Sequence, residues 1–211
     1  MIENYKILKN GVIKQINFVN KIQEYNSNYI NDRYNQYGEK GPQMAGLRLG
    51  YLIGILGKLP KSLLDVGYGN GDFLKVCQQG IEKCYGNDVS GYPIPEGVTF
   101  VENIFDKHYD VITMFDVLEH FENINFIKDL SCNYFYVSLP WCHNFSDEWF
   151  FNWKHRRPDE HLWHFSLPSI TKFFNEMGYE LLTHSNIEDV IRKPIDENEN
   201  ILTCIFKKNN K

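Results

Sequence analysis

The residues best suited to chemistry begin in SLLDVGYGNGDF, positions 62 to 73. Asp65 ends an apolar run, where a carboxylate needs a partner. Gly67, Gly69 and Gly71 follow at every second position. Glycines let a backbone approach a ligand closely and adopt conformations that side chains forbid. A second acid, Asp88, lies one strand later in YGNDVS. A carboxylate there accepts both hydroxyls of a ribose, or caps a turn ahead of Ser90 and Gly91. Two ligand classes fit this pattern, a dinucleotide and an adenosyl compound. The dinucleotide fingerprint GxGxxG requires glycine at position 72, and the chain has Asp72 there. Asp65 would also repel a pyrophosphate, whereas it suits the ammonium of an amino acid moiety.

Further along, YDVITMFDVLEHF places Glu119 and His120 just past a strand. An imidazole titrates in the range of a base near neutral pH. The competing reading makes Glu119 a cap and packs His120 beneath the loop. The stretch SDEWFFNWKHRRPDEHLWHF, 146 to 165, adds Lys154, His155, Arg156, Arg157, His161 and His164 among six aromatics. Its cations suit a phosphate or carboxylate, or else form a solvated loop. His161 and His164 with Asp147 or Glu148 complete no metal-spacing motif, so no metal is expected. Near the N-terminus, Tyr29, Arg33, Tyr34 and Tyr37 are candidates for a lid, and Arg48 for a carboxylate contact.

These groups need a frame. The N-terminal 58 or so residues carry helical spacing, with Ile13, Ile16, Phe18, Val19 and Ile22 recurring. A helix is expected over 43–60, closed by Gly57 and Pro60. From about residue 61, strands and helices alternate, which predicts a mostly parallel sheet covered on both faces. Strands are expected at 62–67, 83–90, 98–104, from 109, at 133–141, after Gly178 and at 200–208. Helices are expected at 72–80 and from 167.

Composition excludes several classes. The chain has 211 residues, 43% hydrophobic, with a formal charge of -5. That suits one domain and draws it to neither nucleic acid nor an anionic membrane. No run of 18 apolar residues predicts a membrane span. Residues 1–18 lack the apolar core and cleavage site of a secretory signal. Five cysteines without CxxC spacing predict reduced, mostly buried thiols in a cytoplasmic protein.

Four segments together, LLDVGYGNGDF, YGNDVS, YDVITMFDVLEHF and HLWHFSLPSITKFFNEMGYEL, carry a resemblance. In this order they resemble class I S-adenosylmethionine-dependent methyltransferases, in the broad small-molecule group with DVLEH after the fourth strand. The likeness covers about residues 60 to 208. It implies an α/β, Rossmann-like, seven-stranded, mostly parallel sheet with helices on both faces and an antiparallel last strand. The division implied is a single domain, 1–211, with 1–60 as a helical cover and 61–211 as the methyltransferase core. It implies S-adenosyl-L-methionine as cofactor and S-adenosyl-L-homocysteine as product. Asp65, Gly67, Tyr68, Gly69 and Gly71 would line the methionine part. Asp88 would hold the ribose and Val89 the adenine, with Asn103 or Ile104 at its edge. Phe115 and Asp116 would lie beside the donor. His120 is the candidate base, with Glu119 next to it. The loop holding Lys154, His155, Arg156, Arg157, His161 and His164 would meet the acceptor.

The expected reaction moves a methyl group to O, N or C of a small polar metabolite, a sugar among the candidates. A nucleotide-linked oxidoreductase and a binding protein of this fold without turnover are the alternatives. Nucleic-acid methylation is disfavoured by acidity and by FDVLEHF where a base-flipping motif would stand. A homodimer is compatible with the aromatics of 145–165. The compact link FIKDLSCNYFYVSLPW departs from the family's usual turn before the fifth strand.

Overall fold

A computed structural model describes residues 4–19, 38, 40–194 and 197–209. The elements are β1 (Tyr5–Ile7), β2 (Ile13–Gln15), α1 (Lys40–Leu56), β3 (Ser62–Val66) and α2 (Asp72–Cys77). Then come β4 (Lys83–Asn87), β5 (Thr99–Phe100), β6 (His108–Phe115) and β7 (Ser131–Pro140). They are followed by α3 (Asp147–Asn152), β8 (Trp163–His164), α4 (Leu167–Glu176), β9 (Tyr179–Ser185) and β10 (Ile201–Lys208).

Seven strands form the main sheet in the order β5-β4-β3-β6-β7-β10-β9. β3 pairs parallel with β4 and β6, and β6 parallel with β7. β10 runs antiparallel between β7 and β9. This is the expected doubly covered sheet. The order reverses at β3, so the ends of β3, β4 and β6 open a crevice beside the glycine loop.

Both faces are apolar because strands buried on two sides need near-continuous apolar runs. Leu63, Val111, Tyr136 and Ile205 pack toward α1 and α2, with Leu52, Phe73 and Leu74. Leu64, Val66, Ile112, Phe135 and Val137 pack on the other face with Ile170, Phe173 and Phe174 of α4. α4 starts at a capping box between Ser166 and Ser169, has a proline in its first turn, and is followed by Gly178 at φ 89°. All five cysteines are free and buried.

Two expectations change. The segment from Ile13 starts a strand and not a helix. Ile13 and Gln15 point inward as β2 pairs antiparallel with both β1 and β8, so tertiary pairing overrides the helical spacing. Ile22, Tyr29, Arg33, Tyr34 and Tyr37 lie outside the described residues. The third core strand shrinks to Thr99–Phe100. Between β6 and β7 the described chain forms 3-10 turns, Leu118–His120 and Asn125–Asp129, and no α-helix. Leu118, Ile124 and Ile127 cover the sheet there. No helix among the described residues is long and apolar enough to cross a membrane.

Phe174 has no exposed surface and stacks on Phe206 at 4.0 Å between ring centroids. Phe174→Ala is expected to lower unfolding free energy by about 3–5 kcal/mol. Urea denaturation followed by circular dichroism checks it.

Candidate active site

The crevice is a cavity of about 410 Å³. Its floor is the glycine loop after β3, which turns with Gly67, Gly69 and Gly71 all at positive φ. At Gly67 a Cβ would strike the Val117 side chain, and at Gly71 it would come within 2.5 Å of Pro95. Glycine there is required by both conformation and space.

Asp88 at the end of β4 holds this loop. Its Oδ2 accepts the Gly69 N–H at 2.8 Å and its Oδ1 accepts the Ser90 N–H at 2.7 Å. Thus Asp88 caps the turn and also faces the cavity. The two roles are compatible, because each carboxylate oxygen has a second lone pair. Val89 beside it is 84% exposed, an apolar surface left open at the cavity edge.

Asp65 points from β3 toward α1 and is 3% exposed. Thr113 Oγ1 on the adjacent strand donates to its Oδ1 at 2.6 Å. Burial pushes its carboxyl up to about 7, against the opposing pull of the Thr113 hydrogen bond and Arg48. A carboxyl raised in the fold stabilises it fully below its unfolded-state pKa, near 4. That stabilisation is lost as pH rises through about 7. A cationic group beside Asp65 would reverse this cost.

The far wall is ionic. Arg48 of α1 donates to Glu188 from Nε at 2.8 Å and from Nη2 at 2.9 Å. Arg192 grips Asp116 with two hydrogen bonds, 2.7 and 3.0 Å, and reaches Glu188 at 3.2 Å. Glu188 is fully buried, and the two guanidinium groups hold its carboxyl below the usual range despite that burial. Asp116 ends β6 at φ 54°, a conformation aspartate tolerates better than most residues. Phe115 packs edge-on against Phe73 and Tyr136, with the Arg48 guanidinium 4.1 Å over its ring.

Of the expected donor residues, Asp65, Gly67, Tyr68, Gly69, Asp88, Val89, Phe115 and Asp116 line the cavity. Gly71 does not; it turns behind the loop against Pro95. Asn103 and Ile104 do not either. Asn103 accepts the Phe105 N–H and donates to Asp106, while Ile104 is a core residue. His120 lines the cavity, and Glu119, 1% exposed, sits behind it.

None of Lys154, His155, Arg156, Arg157, His161 and His164 lines it. Its Trp163–His164 pair as β8 with β2 in a small sheet, and its Asp147–Asn152 form α3. Arg156 donates to the Phe151 carbonyl and Arg157 pairs with Glu160 at 3.0 Å. Burial lowers His155 to about 4 and His164 to about 3, so both are neutral packing rings at physiological pH. The aromatics go the same way: Phe150 meets Tyr5 and His164 edge-on.

Sequence reasoning missed Arg192 and Glu188. They lie far along the chain in IEDVIR, spaced i, i+4, with no motif to mark them. It also missed Gly41, which brings α1 against Asp72.

Removing the charge of Glu188 leaves Arg48 buried with Asp116 only at 4.0 Å. Glu188→Gln is expected to cost about 3–5 kcal/mol of stability. Urea denaturation measures it.

No curated protein sequence matches. A family model described as a methyltransferase domain matches residues 37–184. Among solved structures, magnesium protoporphyrin IX methyltransferase from Synechocystis PCC 6803, with bound SAH, is 15% identical at a TM-score of 0.59. The match covers 88% of this chain and 96% of that one. The 1,6-didemethyltoxoflavin-N1-methyltransferase of Burkholderia thailandensis is 12% identical, with a TM-score of 0.59 and coverage of 98% and 100%. The methyltransferase domain of a bacterial Hen1 (CtHen1-CN) is 22% identical, with a TM-score of 0.54 and coverage of 76% and 97%. The match over most of the chain and the seven-stranded sheet agree, and the chain belongs to the methyltransferase-domain family, with the class I S-adenosylmethionine-dependent methyltransferase fold.

Proposed function

We propose that this protein transfers a methyl group from S-adenosyl-L-methionine to an O, N or C atom of a small polar metabolite, a sugar among the candidates. The observation that carries the reading is the cavity where Asp65, the glycine loop and Asp88 converge at the ends of β3 and β4. A dinucleotide fits it poorly, because buried Asp65 would face a pyrophosphate.

The donor supplies an electrophilic methyl whose leaving sulfide is neutral and needs no acid. The chain's own work is alignment and exclusion of water. Asp65 and the backbone of Gly67 and Gly69 would hold the methionine end. Asp88 would take ribose hydroxyls on its remaining lone pairs, and Val89 would cover the adenine. In this reading α1 acts as the cover, with its Lys40, Met44 and Arg48 walling the cavity. Phe115 and Asp116 flank the reacting end. His120 is the titratable ring at the wall, placed for an acceptor that must lose a proton.

The solved neighbours act on acceptors as different as a porphyrin and a toxoflavin precursor, so the donor half of the site carries the assignment. A cytoplasmic location fits five free, buried thiols.

Calorimetry with S-adenosylhomocysteine tests the reading. At pH 7 an Asp65 carboxyl near pKa 7 is about half protonated. An ammonium beside it lowers that pKa, so binding should release up to about half a proton. The observed enthalpy should therefore depend on the ionisation enthalpy of the buffer. Asp65→Asn should weaken binding and remove the buffer dependence. Binding of NAD with none of S-adenosylhomocysteine would defeat the proposal.

A further inference from the structure

Glu119, His120 and His161 each bring one ligand atom to a single point, all within 4.8 Å of one another. The convergence is built by the fold. The Leu162 N–H donates to the Glu119 carbonyl at 2.8 Å, which ties the strand end before β8 to the 3-10 turn after β6. β8 in turn pairs with β2. The His120 and His161 rings meet edge to face at 4.7 Å between centroids and 90° between planes.

The tautomer of His161 is set as well. Its Nδ1 lies 2.8 Å from the His155 carbonyl, which only accepts, so Nδ1 carries the proton. Nε2 is then the lone-pair nitrogen. A backbone carbonyl orienting the far side of an imidazole is the usual support for a ligating histidine. Glu119 and His161 are 1% and 4% exposed, while His120 lines the donor cavity. Three ligands therefore stand behind the cavity wall with one of them opening into it. Glu160, whose Oε1 is 3.9 Å from His161 Nε2, adds a second carboxylate nearby. It is shared with Arg157.

We propose that Glu119, His120 and His161 bind a divalent first-row transition-metal ion that holds a hydroxyl oxygen of the methyl acceptor at the cavity wall. Two imidazoles and one carboxylate suit zinc, cobalt, manganese or iron better than calcium or magnesium. Three protein ligands leave a position for the acceptor. The inference rests on the methyltransferase reading and narrows its acceptor to a hydroxyl compound. The cation lowers the hydroxyl's pKa, and its proton passes to solvent. The oxygen–carbon bond then forms as the methyl–sulfur bond breaks, and the pair of electrons stays on the neutral sulfide. His120 serves as a ligand here, and no separate base is required.

Cobalt(II) titration of the metal-stripped protein provides the test, followed by visible absorption and by calorimetry. One equivalent should bind saturably, with ligand-field bands typical of nitrogen and oxygen donors. His161→Gln, Glu119→Gln and His120→Asn should each weaken binding at least about 10-fold. His120 is only half-buried, so His120→Asn reports on ligation even if a variant at the buried Glu119 fails to fold. S-adenosylhomocysteine binding is measured on the same samples. Retention of that binding without saturable cobalt binding overturns the metal site and leaves the methyltransferase reading standing. Cobalt affinity unchanged in His161→Gln and His120→Asn also overturns it. Cobalt binding with no S-adenosylhomocysteine binding removes the methyltransferase reading and the acceptor role with it, while the ion-binding cluster remains.

Discussion

Glu188 has no exposed surface, yet it carries a charge that two guanidinium groups hold in place. An isolated ion at that depth would cost several kcal/mol. Satisfying it therefore forces three parts of the chain together: α1 through Arg48, the 3-10 turn Ile187–Val190 that contains Glu188 itself, and the end of β6 through Arg192 and Asp116. These parts form the wall of the cavity opposite the glycine loop. Such a network gives little net stability compared with an apolar replacement. What it supplies is position. It keeps Asp116 in its positive-φ conformation beside Phe115 and keeps α1 seated over the crevice.

Much of the fold was legible because parallel strands announce themselves as apolar runs closed by glycine, as SLLDVG does. The placement of the glycine loop, Asp65 and Asp88 around one cavity was legible for the same reason. Asp65 and Asp88 sit at strand ends, and a strand end in a parallel sheet has a predictable place. What was hidden depends on contacts far apart in sequence. Ile13 and Gln15 belong to a strand only because Trp163 and His164 come alongside. The Lys154–Arg157 cluster reads as an anion site until His155 turns inward to bond Asn200, 45 positions away. Arg192 reaches Asp116 across 76 positions, and no local spacing signals that.

The two sides of the cavity are held differently. The glycine-loop side is held by backbone, with glycines that tolerate no side chain and an aspartate that grips two N–H groups. The wall at His120 rests on side chains, with His120 and His161 edge to face and buried Glu119 behind them. A backbone cradle constrains a donor common to many reactions, whereas side chains are free to vary with the acceptor. The solved neighbours share this sheet at 12–22% identity.

A crystal structure grown with S-adenosylhomocysteine tests the central claim most directly. The account predicts density in the cavity between the 67–71 loop and Asp88, with the ammonium against Asp65 and the ribose on Asp88. Density for the ligand elsewhere on the chain, or a ribose lying away from Asp88, would contradict it.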